Sequence, residues 1–268
     1  MTTAFAQPQN RAKTIPPPAL RTSYNALKSH AKLWSTASEI SELLNLPIAI
    51  QRQTDQVVFQ HVHFKSGQRI HSLNQEFVNI YLVNSGFIKS IFLDEFGNEQ
   101  VCHFQMKGDL LGIDGMHTGR HMSEAVALSD CDVIVIPLLK LKVCSCTFEH
   151  FERSILHIFS RQLVAQQNRL NILASKNAEA RVSIFLQSLA QRFHLLGYSQ
   201  TSFNLRMTRH EMGSYLGLTL ETVSRTLSLL NDAGIISVQL RRIVILDAEG
   251  LKELTLTHRD IQRCMVKV

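Results

Sequence analysis

The sequence lacks the features of a membrane protein and of a disulfide-bonded secreted protein. None of its apolar runs reaches the ~18 residues that a membrane-spanning helix requires. The five cysteines are odd in number and scattered along the chain, which is not the pattern of a disulfide framework. We therefore expect a cytoplasmic protein that has no membrane segment.

The first thirty residues contain four basic residues and the run Pro16-Pro17-Pro18, and they contain no aspartate or glutamate. They also lack the apolar core of a secretory signal. A transit peptide has a similar composition, but a disordered segment fits it better. We interpret residues 1–37 as a flexible basic tail.

The balance of charge favours contact with an anionic partner. The formal net charge is +6, from 28 Lys and Arg against 22 Asp and Glu. A basic surface attracts phosphate, but many unrelated proteins share this balance. The charge therefore permits nucleic-acid binding and does not establish it.

Residues 57–137 form a series of short β-branched and aromatic runs, which is typical of antiparallel strands. The runs are VVFQHVHF, FVNIYLVNSGFIKSIFL, VCHFQM, EAVAL and CDVIVIP. Turn signals separate them at Ser66-Gly67, Asn84-Ser85-Gly86, Phe96-Gly97-Asn98 and Lys107-Gly108-Asp109. A short helix precedes them, with Ser38 as its predicted N-cap and Leu46 as its end. We expect an antiparallel β-barrel or roll over residues 38–147.

A long helical segment follows, over residues 148–176. Its apolar or semi-polar residues recur at spacings of three and four, as expected of one helix face. These residues are Ile155, Phe159, Leu163, Gln166, Leu170 and Leu173. The helix is predicted to break at Ser175-Lys176-Asn177. The stripe predicts either a helix-on-helix dimer seam or a core helix packed on its own chain, and periodicity does not separate the two.

The run from Met207 to Ile236 predicts two short helices separated by a turn. Thr208 can cap the first helix, with Glu211 three residues later completing a capping box. Gly217 suits a left-handed helix end, and Thr219 can cap the second helix. This arrangement is typical of a helix-turn-helix, whose second helix enters the major groove of DNA.

The second helix has two different faces. Val223, Leu227 and Leu230 share the inner one, at i, i+4 and i+7. Glu221, Ser224 and Arg225 share the other face, where Arg can bind guanine, Glu can accept from cytosine and Ser can approach either edge. The alternative is an i,i+4 ion pair on a solvated face. The full predicted DNA-contact set is Glu221, Ser224, Arg225, Thr208, Thr219, Thr222, Arg241 and Arg242.

The last two of these residues lie in a predicted strand hairpin. The run GIISVQLRRIVILD has two short β-branched segments on either side of Arg241-Arg242. A basic hairpin after a helix-turn-helix can contact phosphate, like the wing of a winged helix. This context favours DNA binding over the ion-pair alternative.

A dense set of motifs runs from about Val57 to Leu254: NSGFIKS, FGNEQV, FQMKGDLLGIDG, SKNAEARV, FNLRMTRHEMGSYLGLTLETVSR and AGII. In these motifs the chain resembles the CRP/FNR family of bacterial transcription regulators, and its FNR/FixK branch in particular. This resemblance implies an α+β fold: an N-terminal antiparallel β-roll like a cyclic-nucleotide-binding domain, a long dimerisation helix, and a winged helix-turn-helix over residues 177–268. It also implies a homodimer that binds double-stranded DNA and RNA polymerase, and no enzyme activity.

The branch follows from the recognition helix. Where the cAMP receptor has Arg before the Glu and Gly before the second Arg, this chain has Leu220 and Ser224. The resulting Glu-x-x-Ser-Arg pattern resembles the FNR branch and implies the palindrome TTGAT-N4-ATCAA. By the same resemblance Arg225 reads guanine, Glu221 reads the nearby cytosine, and Ser224 meets a neighbouring thymine.

The chain departs from its ligand-binding relatives at the positions that hold their ligands. Ile113 stands at the ribose-binding Glu of the cAMP receptor and Met122 at its phosphate-binding Arg, and only Ser123 is kept. Without the Arg, a buried phosphate loses a bond of roughly 1.5–3 kcal/mol. The iron–sulfur relative uses three N-terminal cysteines and one in the roll. Here no cysteine precedes Cys102 and Ile134 occupies the roll position, so we expect no cofactor.

Other candidate sites are weaker. Cys144 and Cys146 have a spacing that is poor for a disulfide and are interpreted as packed thiols. His103, His117 and His121 lack metal-ligand spacing and are interpreted as polar loop residues. Control by haem or another ligand, a cyclic-nucleotide-binding-like module without DNA function, and a cupin enzyme remain the alternatives.

Two further expectations come from the resemblance. An acidic residue opposes dimerisation in the oxygen-sensing relative, and Asn168 stands at the position that we align with it. A neutral Asn would not repel its symmetry mate, so the apo-protein is expected to dimerise. The turn from Leu93 to Gln100, with Asp94 and Glu95, corresponds to a loop that faces the sigma factor of RNA polymerase; the alternative is a solvated hairpin tip.

Overall fold

The structure is a computed structural model that describes residues 33–44, 57–140 and 151–255. The side chains of residues 151–155 are outside the description. Predictions for residues 1–32 of the tail, the side chain of Ile155, and Cys144 and Cys146 therefore lie outside the described residues. The predicted tail boundary at residue 37 is wrong, because residues 34–36 form a strand that pairs with the roll. No helix in the described part of the chain is long and apolar enough to cross a membrane.

The first described elements are strand β1 (Trp34–Thr36) and helix α1 (Ala37–Leu43). The N-cap of α1 is Thr36, so the predicted cap at Ser38 is wrong. The Thr36 hydroxyl accepts from the Glu39 amide, and the Glu39 carboxylate accepts from the Thr36 amide at 3.0 Å. This reciprocal pair satisfies two free amides of the first turn, which one hydroxyl at Ser38 would not do.

The predicted antiparallel β-roll is confirmed. Its remaining strands are β2 (Val58–Phe64), β3 (Arg69–His71), β4 (Asn79–Ser85), β5 (Phe87–Leu93), β6 (Glu99–Met106), β7 (Leu110–Leu111), β8 (Glu124–Ala127) and β9 (Cys131–Pro137). They form two sheets, ordered β1-β2-β9-β4-β7 and β3-β8-β5-β6. Apolar side chains such as Leu82 and Ile134 are fully buried, and this burial holds the roll together.

Two helices lead from the roll to the C-terminal domain: α2 (Phe151–Ser175) and α3 (Ala178–Leu195). The predicted break between them is confirmed. Asn177 has extended backbone and its side chain accepts from the Ala180 amide at 2.9 Å, so it caps α3. Ile158 of α2 is fully buried in the core of the roll.

The C-terminal domain is a winged helix-turn-helix, as predicted. Its elements are β10 (Ser202–Asn204), α4 (Arg209–Leu216), α5 (Leu220–Asp232), β11 (Ile236–Gln239), β12 (Arg242–Ile245) and α6 (Ala248–Glu253). The three strands form one sheet in the order β10-β12-β11. Its core joins α3 to both helices of the motif, with Leu186, Met212 and Leu227 almost completely buried.

Candidate DNA-binding interface

The first helix of the motif begins with the capping box that the sequence predicts. The Thr208 hydroxyl accepts from the Glu211 amide at 3.1 Å, and the Glu211 carboxylate accepts from the Thr208 amide at 2.7 Å. Gly217 ends α4 with a φ of 63°, in the left-handed region where glycine is favoured. Thr219 then caps α5 by accepting from the Thr222 amide at 3.1 Å. These local bonds fix the angle at which α5 leaves the turn.

The recognition helix α5 separates into the two predicted faces. Val223, Leu227 and Leu230 are buried in the domain core. Glu221 and Arg225 are exposed and Ser224 is half-buried, on the side away from that core. The structure thus brings the three predicted base-reading residues together at the start of one exposed helix face, as entry into a groove requires.

Glu221 and Arg225 make no ion pair with each other in the described part of the chain. Hydrogen bonds from the Glu221 backbone amide and from the Thr219 hydroxyl lower the pKa of the Glu221 carboxyl. The Glu221 side chain is therefore ionised at neutral pH and can accept a hydrogen bond. The alternative interpretation of these two residues, a solvated ion pair, is therefore not what the described residues show.

The wing is the hairpin of β11 and β12, in which Gln239 pairs with Arg242. Its two-residue turn contains Leu240, with a φ of 55° and 95% exposure, and Arg241, which is also exposed. Arg242 Nε donates to the Ser202 hydroxyl at 3.3 Å while its side chain stays exposed. Two cations thus lie at one end of the C-terminal sheet, where they can contact phosphate.

Arg181 of α3 joins the end of α2 to the turn of the motif. Its guanidinium donates to the Leu173 carbonyl at 2.8 Å and to the Lys176 carbonyl at 2.9 Å. It also donates to the Leu216 carbonyl at 3.1 Å and the Gly217 carbonyl at 3.3 Å. One rigid cation therefore satisfies the free carbonyls at the ends of two helices.

The first helix of the motif also docks on the β-roll through an ion-pair cluster. Lys89 Nζ lies 3.0 Å from the Glu211 carboxylate and 3.2 Å from that of Glu99. Burial acts to lower the pKa of Lys89, but hydrogen bonds and charge interactions with the two glutamates outweigh it and raise the pKa. Ser214 completes the contact, because its hydroxyl accepts from the Val101 amide at 2.8 Å. Sequence reasoning missed this surface because its partners are far apart in the chain.

The outer face of α2 does not coincide with the predicted stripe. The Gln166 amide turns toward the roll and lies 3.3 Å from His103 Nε2, and Phe159 and Leu173 are half-buried. Leu163 and Leu170 remain exposed at 64% and 60%. The exposed residues at strict heptad spacing are Leu156, Ser160, Leu163, Gln167, Leu170 and Ala174. The predicted stripe therefore shares Leu163 and Leu170 with this exposed heptad and is rotated from it toward the more buried side of the helix.

Asn168 is exposed but is not part of this heptad. It follows Gln167, and successive residues of an α-helix are about 100° apart around its axis. Its side chain therefore lies beside the exposed apolar row. Gln167, not Asn168, belongs to the exposed heptad, and the role of Asn168 at a dimer seam stays a prediction.

The turn between β5 and β6 holds the two acidic residues predicted to meet the polymerase. Asp94 and Glu95 are exposed, and Phe96 at the tip is 87% exposed. The Asp94 carboxylate accepts from the amides of Phe96 and Asn98, at 2.9 and 2.8 Å. Asp94 therefore closes its own turn, and Glu95 is the acidic side chain without such a role.

The interpretation of the three histidines as polar loop residues holds only in part. His117 is exposed in a turn, but His103 lies in strand β6, so the interpretation is wrong for His103. His121 does lie in a loop, but it is completely buried rather than exposed. Its ring stacks on that of His71 with centroids 4.0 Å apart. No group of three or more potential ligands among His, Cys, Asp and Glu could hold a metal ion in the described residues.

The family models that match the chain correspond to its two domains. Residues 61–143 match the cyclic nucleotide-binding domain, and residues 180–254 match the Crp-like helix-turn-helix domain. The transcriptional regulatory protein btr of Bordetella pertussis is 35% identical over 79% of this chain and 87% of that protein. The fumarate and nitrate reduction regulatory protein of Escherichia coli is 33% identical, over 78% of this chain and 84% of that protein.

Solved structures show the same architecture. FixK2 from Bradyrhizobium japonicum has a TM-score of 0.69 at 27% identity, and the match covers 75% of this chain and 99% of that one. CooA from Carboxydothermus hydrogenoformans shares the fold, with a TM-score of 0.59 at 21% identity over 74% and 88% of the two chains. The relatives are transcription regulators rather than enzymes. With a matching roll, helix-turn-helix and relatives over most of its length, the chain belongs to the CRP/FNR family of DNA-binding transcription regulators.

Proposed function

We propose that the protein acts as a homodimer that recognises the palindrome TTGAT-N4-ATCAA and needs neither an iron–sulfur cluster nor cAMP. The observation that carries this proposal is the exposed face of α5, where Glu221, Ser224 and Arg225 lie within the first two turns. Arg225 can donate two bonds to guanine, and the ionised Glu221 can accept from cytosine. Arg241 and Arg242 of the wing would fix the domain on the phosphates.

The dimer is supported by the exposed heptad of α2. Leucines at one position of each heptad, Leu156, Leu163 and Leu170, leave an apolar row facing solvent. A second copy of the helix would cover this row in the manner of a coiled coil. Two copies of α5 would then be held at the fixed separation that a palindromic site requires.

The residues present do not fit a [4Fe–4S] cluster. Such a cluster needs four thiolate ligands, and no cysteine precedes Cys102. Burial, followed by the charges of Asp132 and Asp130, raises the pKa of Cys131 to about 12. Burial also raises the pKa of Cys102. These two buried thiols are the only cysteines among the described residues, fewer than the four that a cluster needs.

We likewise expect no cyclic-nucleotide site of the usual kind in this domain. Met122 and Ile113 stand where the cAMP receptor has its phosphate-binding and ribose-binding side chains, and neither offers a charge. A regulator that needs no ligand would be controlled by the amount of the protein in the cell. Gating by haem or another ligand is the second candidate, and the half-buried His103 beside Gln166 is the observation that favours it.

Selection of bound sequences from random DNA with the purified protein, without added ligand, tests this function. The expected result is enrichment of TTGAT half-sites in inverted repeat, with four base pairs between them. Metal and small-molecule analysis of the same sample separates the ligand-free protein from the gated one. Failure of the ligand-free protein to enrich any sequence would contradict the proposal, and a different half-site would contradict the base-reading roles.

A further inference from the structure

Three donors of the β-roll converge on the carboxylate of Asp114. The Ser123 hydroxyl donates to Oδ2 at 2.7 Å, and the Met122 amide donates to the same oxygen at 2.9 Å. His121 Nδ1 lies 3.4 Å from Oδ1. Because an ionised carboxylate only accepts, the proton of this contact belongs to the imidazole. We call these three donors, His121 Nδ1, the Met122 amide and the Ser123 hydroxyl, the anion seat.

The carboxylate and the anion seat belong to different segments. Asp114 lies in a short 3₁₀ helix (Ile113–Met116), whereas the seat directly precedes β8. Gly112 begins the 3₁₀ helix with a φ of 81°, and a Cβ there would lie 3.0 Å from the His121 ring. Glycine therefore lets the first segment approach the ring closely enough for the carboxylate to reach the seat.

The His121 ring is fixed in place by its surroundings. It is fully buried, stacks on His71 and meets the edge of Phe77 with ring centroids 5.4 Å apart. His121 Nε2 and both ring nitrogens of His71 have no hydrogen-bond partner within the described residues. Buried polar atoms are seldom left in this state, and the contact of His121 Nδ1 with Asp114 provides polar compensation for one end of the stack.

The electrostatics of the seat favour an anion. Burial acts to raise the pKa of Asp114, but hydrogen bonds from His121 and Ser123 and the nearby imidazoles outweigh it and lower the pKa to about 2. The carboxylate is therefore ionised throughout the physiological pH range. An anion held by three donors in a partly desolvated site is bound more strongly than one in water.

The seat lies inside the domain that matches the cyclic nucleotide-binding family, whose ligands carry an anionic phosphate. We propose that Asp114 is an internal counter-anion, which occupies an oxyanion seat that would otherwise take the phosphate or carboxylate of a small molecule. The anion seat is thereby filled by a side chain of the same domain. This inference extends the proposed function, because it explains how the regulator could hold an ordered roll without a ligand.

Removing the carboxylate should convert the seat into a binding site for a small oxyanion. In Asp114→Ala the donors stay, and the space left by the carboxyl group is the size of formate or acetate. The variant is expected to melt on the order of 5 °C below wild type in chloride buffer. Formate, acetate or inorganic phosphate, at matched ionic strength, should restore the melting temperature in a saturable manner.

Asp130→Ala is the matched control, because Asp130 accepts a hydrogen bond from the Ser66 amide, at 3.0 Å, elsewhere in the roll. Neither the control nor the wild type should respond to the anions beyond a common salt effect. Asp114→Asn keeps the size and an acceptor but loses the charge, so it should melt between wild type and Asp114→Ala and should not be rescued. Asp114→Asn also replaces Asp114→Ala as the test if Asp114→Ala does not fold.

Unchanged melting of both Asp114 variants would overturn the inference, and so would a destabilised Asp114→Ala that no oxyanion rescues. If Asp114→Ala does not fold, an Asp114→Asn that melts like wild type, or that the anions stabilise, would overturn it. The DNA affinity of ligand-free wild type, measured in the same buffers, tests the proposed function separately. Wild type that does not bind DNA while Asp114→Ala is rescued would leave the seat intact and contradict only ligand-free regulation.

Discussion

The guanidinium carbon of Arg169 lies 4.3 Å from the ring centroid of Tyr215, and Arg169 Nη2 donates to the Tyr215 carbonyl at 2.9 Å. The same guanidinium donates to the Val101 carbonyl at 3.2 Å and to the Cys102 carbonyl. Arg169 belongs to α2, Tyr215 to the first helix of the motif, and the two carbonyls to β6. One side chain of the helix between the domains thus ties the helix-turn-helix to the roll.

Arg169→Lys should loosen this junction while keeping the charge. A lysine ammonium cannot reproduce the planar fork or its stacking on Tyr215, and a loss of about 1–3 kcal/mol is expected at the junction. Hydrogen exchange should accelerate at the amides of α4. Arg161→Lys is the control, because Arg161 makes one bond from the same helix, to the Leu44 carbonyl at 3.3 Å. Equal exchange in α4 of the two variants would show that Arg169 does not hold the domain.

Arg225→Ala should weaken binding to a TTGAT site by about 1–3 kcal/mol and relax the preference at the guanine. Arg242→Ala should instead weaken binding to cognate and scrambled DNA by similar factors, because a phosphate contact carries little sequence information. Lys252→Ala removes an exposed cation of α6 and is the control for net charge. Fluorescence anisotropy at one salt concentration measures all three. If Arg225→Ala kept the wild-type ratio of affinities for cognate and scrambled DNA, the proposed base-reading role of Arg225 would be contradicted.

Local signals were sufficient for most of the fold. The capping box of Thr208 and Glu211, the glycine end of α4 and the Thr219 cap all act within a few residues, and each is present as predicted. The long strands were predicted from their β-branched runs. Strands β3 and β7, with three and two residues, are too short to show an alternating pattern. At α1 the predicted cap, Ser38, lies two residues after the actual cap, Thr36, whose reciprocal bonds with Glu39 fix the start of the helix.

Features that depend on distant partners could not be predicted in the same way. Both sides of α2 carry apolar residues, such as the buried Ile158 and the exposed Leu163, and only the packing of the roll shows which side is free. The contacts of Lys89 with Glu211, and of Asp114 with the anion seat, depend on tertiary structure. The burial of His121 was missed because a histidine in a polar sequence resembles a loop residue.

The acidic turn predicts a contact with RNA polymerase that one residue can test. Glu95→Lys should lower transcription in a purified system and leave DNA affinity unchanged, since Glu95 is exposed and belongs neither to the recognition helix nor to the wing. Asp94→Lys is less informative because Asp94 closes the turn through the amides of Phe96 and Asn98. Glu76→Lys makes the same charge change at another exposed position of the roll, where the backbone of Glu76 pairs with that of Arg120. Equal transcription by the Glu95 and Glu76 variants would remove the proposed contact.

Stability should fall on acidification because of the buried His71. Burial first, and then the neighbouring His121, lower its pKa from 6.5 to about 4, while Asp114 acts in the opposite direction. The unfolded chain therefore binds a proton that the folded chain does not, and this contribution to stability is lost as the pH falls from about 6.5 to about 4. The loss attributable to His71 is on the order of 2–3 kcal/mol.

His71→Phe keeps an aromatic ring in the stack and removes the titration. Urea unfolding between pH 7 and about pH 4.5 should show a smaller acid loss for this variant than for wild type. His117→Phe is the control, because His117 is exposed. An acid loss in His71→Phe that equals that of the control would contradict the assignment. Asp114 does not titrate in this window, since its pKa is about 2.

The dimer seam gives the last prediction. Leu163→Glu places two like charges on an apolar row, so it should shift the protein to monomer at micromolar concentration. Leu195→Glu, a control at the exposed end of α3, should leave the dimer intact.

If Gln167 lies at the centre of the dimer seam and Asn168 beside it, Gln167→Glu should weaken dimerisation by at least about 1 kcal/mol, more than Asn168→Asp does. Both effects should be larger at low salt, where repulsion is less screened. Sedimentation of the untreated protein in air should give a dimer. A monomer that dimerises only with a ligand or without oxygen would contradict the ligand-free dimer, and a larger effect of Asn168→Asp would place Asn168 at the centre.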